Sequence, residues 1–158
     1  MPPDFSNNLQ EYEKFRRPFP SRVYRELMSR SIGLPGQCII DMGSGTGLIG
    51  HGFETVPLTL IQLDVNEGLI CAGHKLRQWQ NIRISKTANI FPIVSPAESC
   101  PFADDIFDGV VVAQSWHWFD RTVAPVEMLR ILKPGGKLGV VYTCTFPAVT
   151  TSPRKLKN

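Results

Sequence analysis

Residues 41 to 47 read Asp41-Met42-Gly43-Ser44-Gly45-Thr46-Gly47, directly after the apolar run Cys38-Ile39-Ile40, and the next apolar run closes on Asp64. A β-branched strand that ends in a carboxylate and passes into glycine at every second position builds a turn that only glycine tolerates, because positive φ and close backbone approach are needed. A ligand can then rest on bare amides. The loop is expected to open a helix at Leu48 whose N–H groups and positive dipole end suit an anionic group, while Asp64 supplies an acceptor for ribose hydroxyls. The pairing points to a nucleotide-like cofactor and leaves open which one.

At 158 residues and 17.7 kDa the chain has the size of one domain, able to bury roughly 70 % of its unfolded surface. Residues 1–145 are assigned to that domain and 146–158 to a basic, proline-marked tail without periodicity, expected to be disordered. The formal net charge is +3, and Arg154, Lys155 and Lys157 account for it, so the body is neutral. No stripe of Lys and Arg interleaved with aromatics accompanies it, which argues against nucleic acid as the main partner. Cys38, Cys71, Cys100 and Cys144 are far apart, with neither a CxxC pair nor histidines at zinc-ligand spacing, so no metal and no disulfide framework is expected. The N-terminus lacks a basic flank with an apolar core, and no stretch approaches the ~18–20 apolar residues of a membrane span. A cytoplasmic location follows by default.

Along the chain, Ser21 is placed to cap a helix running to about Ser31, with Val23, Leu27 and Met28 on one face. Strands are predicted at Cys38–Met42, Leu58–Leu63, Asn89–Val94, Phe107–Ala113 and Lys137–Thr143. Pro92 assigns the third strand to an edge, since proline removes a ladder donor. Helices are predicted from Glu67 to about Trp79 and from Arg121 to Leu132, the latter with Val123, Val126, Met128, Leu129 and Leu132 as its apolar positions, stopped by Lys133-Pro134-Gly135-Gly136. This alternation is an α/β pattern: a Rossmann-like, doubly wound parallel sheet of about five strands. Ligands then gather at its carboxyl edge, where Asp41, Asp64 and Ala113 fall.

Three further segments narrow the cofactor. The chain resembles class I S-adenosylmethionine-dependent methyltransferases in Asp41–Gly47, in Asp64, in Ala97-Glu98 followed by Pro101-Phe102 and Asp105–Asp108, and in Leu132–Gly136, all in the family's order. Within the class it is most similar to the type 11 branch that includes trans-aconitate methyltransferase-like proteins, through Arg17-Pro18-Phe19-Pro20 and Ala113-Gln114-Ser115-Trp116-His117-Trp118-Phe119-Asp120. The match spans about residues 12 to 143. The resemblance implies that S-adenosyl-L-methionine lies over Gly43, Gly45 and Gly47, with Asp41 steering its amino group and Asp64 accepting the ribose hydroxyls. It further implies that Val65 packs on the adenine face, that the Ala97 amide meets the ring with Glu98 beside it, and that Gln114 faces the cofactor from the end of strand four. Pro96 departs from a common pattern that places a polar side chain there. The family fold continues into an antiparallel hairpin, so this chain is expected to lack that part and to be incomplete at its C-terminus.

The chemistry agrees with the layout. Methyl transfer is an in-line displacement at a sulfonium methyl, and positioning alone can supply ~7–11 kcal/mol. A carboxylic-acid acceptor, with a free pKa of ~4, is already ionised and needs no general base; His117 then only positions. A hydroxyl or amine acceptor calls for a base near pKa ~7, and His117 is the catalytic candidate at that rim. Trp116, Trp118 and Phe119 are read as packing ahead of substrate contact, Arg16 and Arg17 as a solvated pair, and His51 and His74 as inert.

Two other functions stay open. Gly45-Thr46-Gly47-Leu48-Ile49-Gly50 literally matches GxGxxG, the signature of NAD(P)-dependent oxidoreductases, although a carboxylate at the strand end is poorly placed beside a diphosphate. A non-catalytic S-adenosylmethionine-binding fragment or regulatory isoform is the other. Without the family's hairpin, Lys137–Thr143 would form an unpaired edge, from which self-association, aggregation or weak stability is expected.

Overall fold

The computed structural model describes residues 19–80 and 87–142, with side chains 76–80 left aside. Arg16, Arg17, Thr143, Cys144 and the tail 146–158 lie outside the described residues.

Strand β1 (Cys38–Met42) lies at the centre of a five-stranded parallel sheet, flanked by β2 (Thr59–Asp64) and β4 (Phe107–Ala113). β3 (Asn89–Val94) and β5 (Leu132–Val141) complete the order β3-β2-β1-β4-β5. Helix α1 (Ser21–Ser29) precedes the sheet, α2 (Glu67–Gln80) links β2 to β3, and α3 (Ala124–Ile131) links β4 to β5. The period-two alternation of the strands divides the core. Ile39, Leu60 and Val111 face α1 and Phe53, whereas Ile40, Leu63 and Val110 face α3. These are fully buried side chains, each contributing about 1.5–3 kcal/mol to the fold. Pro92 sits where expected, on an edge strand opposite Gln62.

Four local expectations need correction. Pro20, not Ser21, occupies the N-cap of α1, and no side chain caps it; Ser21 is already helical and its hydroxyl accepts from Arg25. The helix after the glycine loop is only a six-residue 3-10 turn, Leu48–Phe53, in which Gly50 and Gly52 disfavour a longer α-helix. In α3 the buried positions are Ala124, Met128 and Ile131, spaced i, i+4, i+7, while Val126 and Leu129 are 65 % and 70 % exposed. The Asp120 carboxylate accepts the Thr122 and Val123 amides and so orders the turn that leads into the helix. Finally, β5 begins at Leu132: Phe107 pairs with Leu132 and Gly109 with Lys137, so Lys133-Pro134-Gly135-Gly136 is an insertion within the ladder rather than a stop before it.

Candidate functional site

At the carboxyl end of β1, Asp41 is 1 % exposed, and neither of its carboxylate oxygens has a hydrogen-bond partner. Burial, and then the nearby Asp64 charge, push its carboxyl well above the usual range. Ser44 Oγ, three residues on, is likewise buried without a partner. Among the described residues these are the buried side-chain polar atoms left unsatisfied, and both groups belong to the glycine loop. A buried carboxylate in that condition costs stability, and an ammonium beside it would reverse the cost.

The loop itself is held from below and beside. Gly43 and Gly47 adopt φ of +69° and +80°, and Gly45 +57°. A Cβ on Gly43 would come within 2.6 Å of Ser115 Oγ, and one on Gly47 would collide with the Gln62 amide. Gln62 also donates from Nε2 to the Gly47 carbonyl at 3.1 Å, while Ser115 donates to the Met42 carbonyl at 2.9 Å. The loop geometry therefore depends on β2 and on the turn after β4. It owes little to a helix dipole, since the helix that follows is so short.

Asp64, at the end of β2, accepts the Gly45 amide on Oδ2 at 2.7 Å and the Asn66 amide on Oδ1 at 2.8 Å. Each oxygen keeps further lone-pair capacity for a hydroxyl. Asn66, rather than Asp64, caps α2 by accepting the Leu69 amide. Val65 follows at 57 % exposure, beside the carboxylate. Ala97 is buried and Glu98 half-buried, and Glu98 Oε1 accepts the Asp120 amide at 2.9 Å, bracing the segment after β4. Gln114 leaves β4 with φ +61°, its amide donating to the Val141 carbonyl.

Beyond Gln114 the aromatics divide. Trp116 and Phe119 pack on the core, with Phe119 reaching toward Gly43, while His117 and Trp118 are exposed. Cys38, Cys71 and Cys100 are free thiols, and burial raises Cys100 to about 12. Among the described residues no group of three or more His, Cys, Asp and Glu is arranged to hold a metal ion. The structure thus brings Asp41, Gly43, Gly45, Gly47, Asp64 and Val65 to one sheet edge, with Gln114 at the end of β4. Gln62, Ser115 and Asn66 do not stand out in the sequence. Only a glutamine inside the apolar β2 run could have signalled the first.

An unsatisfied carboxylate, a glycine cradle and a second carboxylate on neighbouring parallel strands define a Rossmann-like cofactor-binding domain. The chain belongs to the methyltransferase-domain family, whose profile matches residues 40–140. An uncharacterized methyltransferase of Mycobacterium tuberculosis is 29 % identical over 138 residues, 87 % of this chain and 51 % of that protein. The demethylmenaquinone methyltransferase of Renibacterium salmoninarum is 32 % identical over 122 residues, 76 % of this chain and 47 % of that one. A solved Methanococcus maripaludis structure, described as an S-adenosyl-L-methionine-dependent methyltransferase, shares the fold with a TM-score of 0.67 at 22 % identity, covering 85 % of this chain and 62 % of that chain. The chain spans about half the length of the curated relatives it matches. Because the family match includes the glycine loop, the literal GxGxxG at 45–50 carries no separate argument for a nicotinamide cofactor.

Proposed function

We propose that this chain binds S-adenosyl-L-methionine and directs its methyl group to a small molecule, with a carboxylic acid as the least demanding acceptor. The observation that carries the reading is Asp41: a fully buried carboxylate with no partner, beside a glycine loop, complements the methionyl ammonium in charge. The bound donor supplies an electrophilic methyl. The protein's own residues orient and shield: Gly43, Gly45 and Gly47 admit the donor close to the backbone, Asp64 receives the ribose hydroxyls, and Val65, Ala97 and Glu98 border the adenine. Gln114 faces the donor from β4, and His117 positions the acceptor or takes a proton from it. The name of the Renibacterium relative supports a small-molecule acceptor without fixing its class. A cytoplasmic setting suits the free thiols of Cys38, Cys71 and Cys100 among the described residues.

Calorimetric titration tests this. The native chain should bind S-adenosyl-L-methionine, and Asp64→Ala should weaken it about 10–100-fold. Binding of NADH alone, or unchanged affinity in the variant, would sink the assignment. A panel of carboxylic acids then separates turnover from binding, which distinguishes an enzyme from a binding fragment.

The same reading includes self-association through β5. Among the described residues that strand lies at the sheet edge, and Leu138 and Val140, with Tyr142 just past its end, alternate at 42–49 % exposure. Size-exclusion chromatography should show a concentration-dependent dimer or larger species. A monodisperse monomer at all concentrations would remove this part.

A further inference from the structure

The two faces of β5 differ in chemistry. Gly139 lies opposite Val111, and a Cβ on it would come within 2.9 Å of Leu27 and 3.1 Å of Ile32, so this position faces α1. Strand alternation puts Lys137 and Val141 on the same face, and Leu138 and Val140 on the other. A groove of about 970 Å³ runs between the first face and α1, floored by Val23, Leu27, Ile32 and Val141. Its rim is basic. Arg22, Glu26 and Arg30 follow one another four positions apart on α1 and Lys137 stands on the strand side, three cations to one anion. The Arg30–Glu26 pair is loose, 3.8 Å apart with side chains 76 % and 71 % exposed. Among the described residues neither Arg22 nor Lys137 has an ion-pair partner. The cations are spread out, since Arg22 and Arg30 are about 12 Å apart along the helix axis. On the opposite face Leu138 and Val140 are 42 % and 44 % exposed. Between the faces, the outer backbone edge of β5 has no strand paired to it among the described residues.

We propose that β5 and this groove receive an extended acidic segment of a partner protein, added as a further strand in which acidic and apolar side chains alternate. Main-chain hydrogen bonds to the open edge supply affinity, and the two faces supply specificity. Acidic side chains turn toward Arg22, Arg30 and Lys137, while the apolar ones cover Leu138 and Val140. Cations spread along the groove fit several carboxylates on a strand better than one anionic head. A second copy is the poorer occupant. Antiparallel pairing of β5 with β5 keeps both grooves on one side of the joined sheet and brings like charges together. Residues 143–158 carry Arg154, Lys155 and Lys157 and no acidic residue, so that segment also has the wrong charge.

Fluorescence anisotropy with labelled hexapeptides on the full chain tests this. One peptide alternates glutamate with valine, a second alternates lysine with valine, and a third holds its glutamates and valines in two blocks. The alternating acidic peptide should bind about tenfold more tightly than either control, and less tightly as salt is raised. It should also shift the size-exclusion profile toward the monomer, because the self-association proposed above uses the same edge. In the double variant Arg22→Glu/Lys137→Glu the preference should invert in favour of the lysine peptide, with S-adenosyl-L-methionine affinity unchanged. No binding of the alternating acidic peptide, or equal binding of the lysine peptide, would overturn the acidic partner. Equal binding of the block peptide would overturn the added strand. Tighter binding of a peptide copying residues 143–158 would give the groove to the chain's own segment, and a dimer that persists with the acidic peptide in excess would give the edge to a second copy. The peptide comparison uses the native chain, so a variant that fails to fold does not rescue the proposal.

Discussion

The two ends of the sheet use the same side chain in opposite ways. At the carboxyl end, Asp41 is buried with both oxygens unpartnered, and its carboxyl is pushed upward by burial and by Asp64. At the amino end, Asp108 accepts the Cys38 amide at 2.8 Å and the Lys133 ammonium at 2.8 Å. Burial pushes Asp108 up too, but the Lys133 and Cys38 hydrogen bonds outweigh it and hold the carboxyl below its ordinary value. Arg130 extends the paired pattern, bonding Glu127, Asp104 and the Phe102 carbonyl, while Glu127 accepts the Cys100 amide. The amino end thus spends its charges on joining β1, β4, β5 and the loop before β4. The carboxylate left without a structural partner at the other end is the one on which the proposed donor site rests.

Asp41→Asn should give the largest separation between the two ends, because it removes the charge and keeps the shape. S-adenosyl-L-methionine affinity, read by calorimetry, should fall about 10–100-fold. Stability at neutral pH, read by denaturant unfolding, should rise by about 1–2 kcal/mol, since a buried unpaired carboxylate is exchanged for a neutral amide. The opposite signs are the point. A variant that lost both affinity and stability would make Asp41 a structural residue and end the contrast.

How much of this is readable from residues alone follows the same division. The Asp41–Gly47 loop and Asp64 are local patterns: φ, close approach and a strand-end carboxylate are written in adjacent residues, and the structure carries them at one sheet edge. Pro92 is equally local, and its edge position follows from one missing donor. What the sequence hides is long-range partnership. An apolar count over Val123, Val126, Met128, Leu129 and Leu132 mixes the buried Met128 and Leu132 with the exposed Val123, Val126 and Leu129, because the face that meets the sheet is chosen by packing against residues distant in sequence. Likewise the Lys133–Gly136 insertion looks like a helix stop until β4 shows Leu132 already paired with Phe107. Glu98 reads as a ligand contact, yet the structure also gives it the Asp120 amide, a partner 22 positions away.

The smaller effect lies at the amino end and is visible in its pH dependence. Asp108→Asn should cost about 1–2 kcal/mol at neutral pH and leave S-adenosyl-L-methionine affinity unchanged. Asp108 has a lowered folded pKa, so its contribution is present above the unfolded value of ~3.9 and disappears as pH falls through the folded one. The gap between native chain and Asp108→Asn should therefore close below about pH 4. Asp41 has a raised folded pKa, so the native chain loses stability as pH rises from ~3.9 through the folded value, and its deficit against Asp41→Asn should widen in that direction. Denaturant unfolding of the three proteins across acid to neutral pH reads both slopes. Native-minus-variant stability should therefore rise with pH for Asp108→Asn and fall with pH for Asp41→Asn; two differences of the same sign would mean that the two ends of the sheet do not differ as their partners indicate.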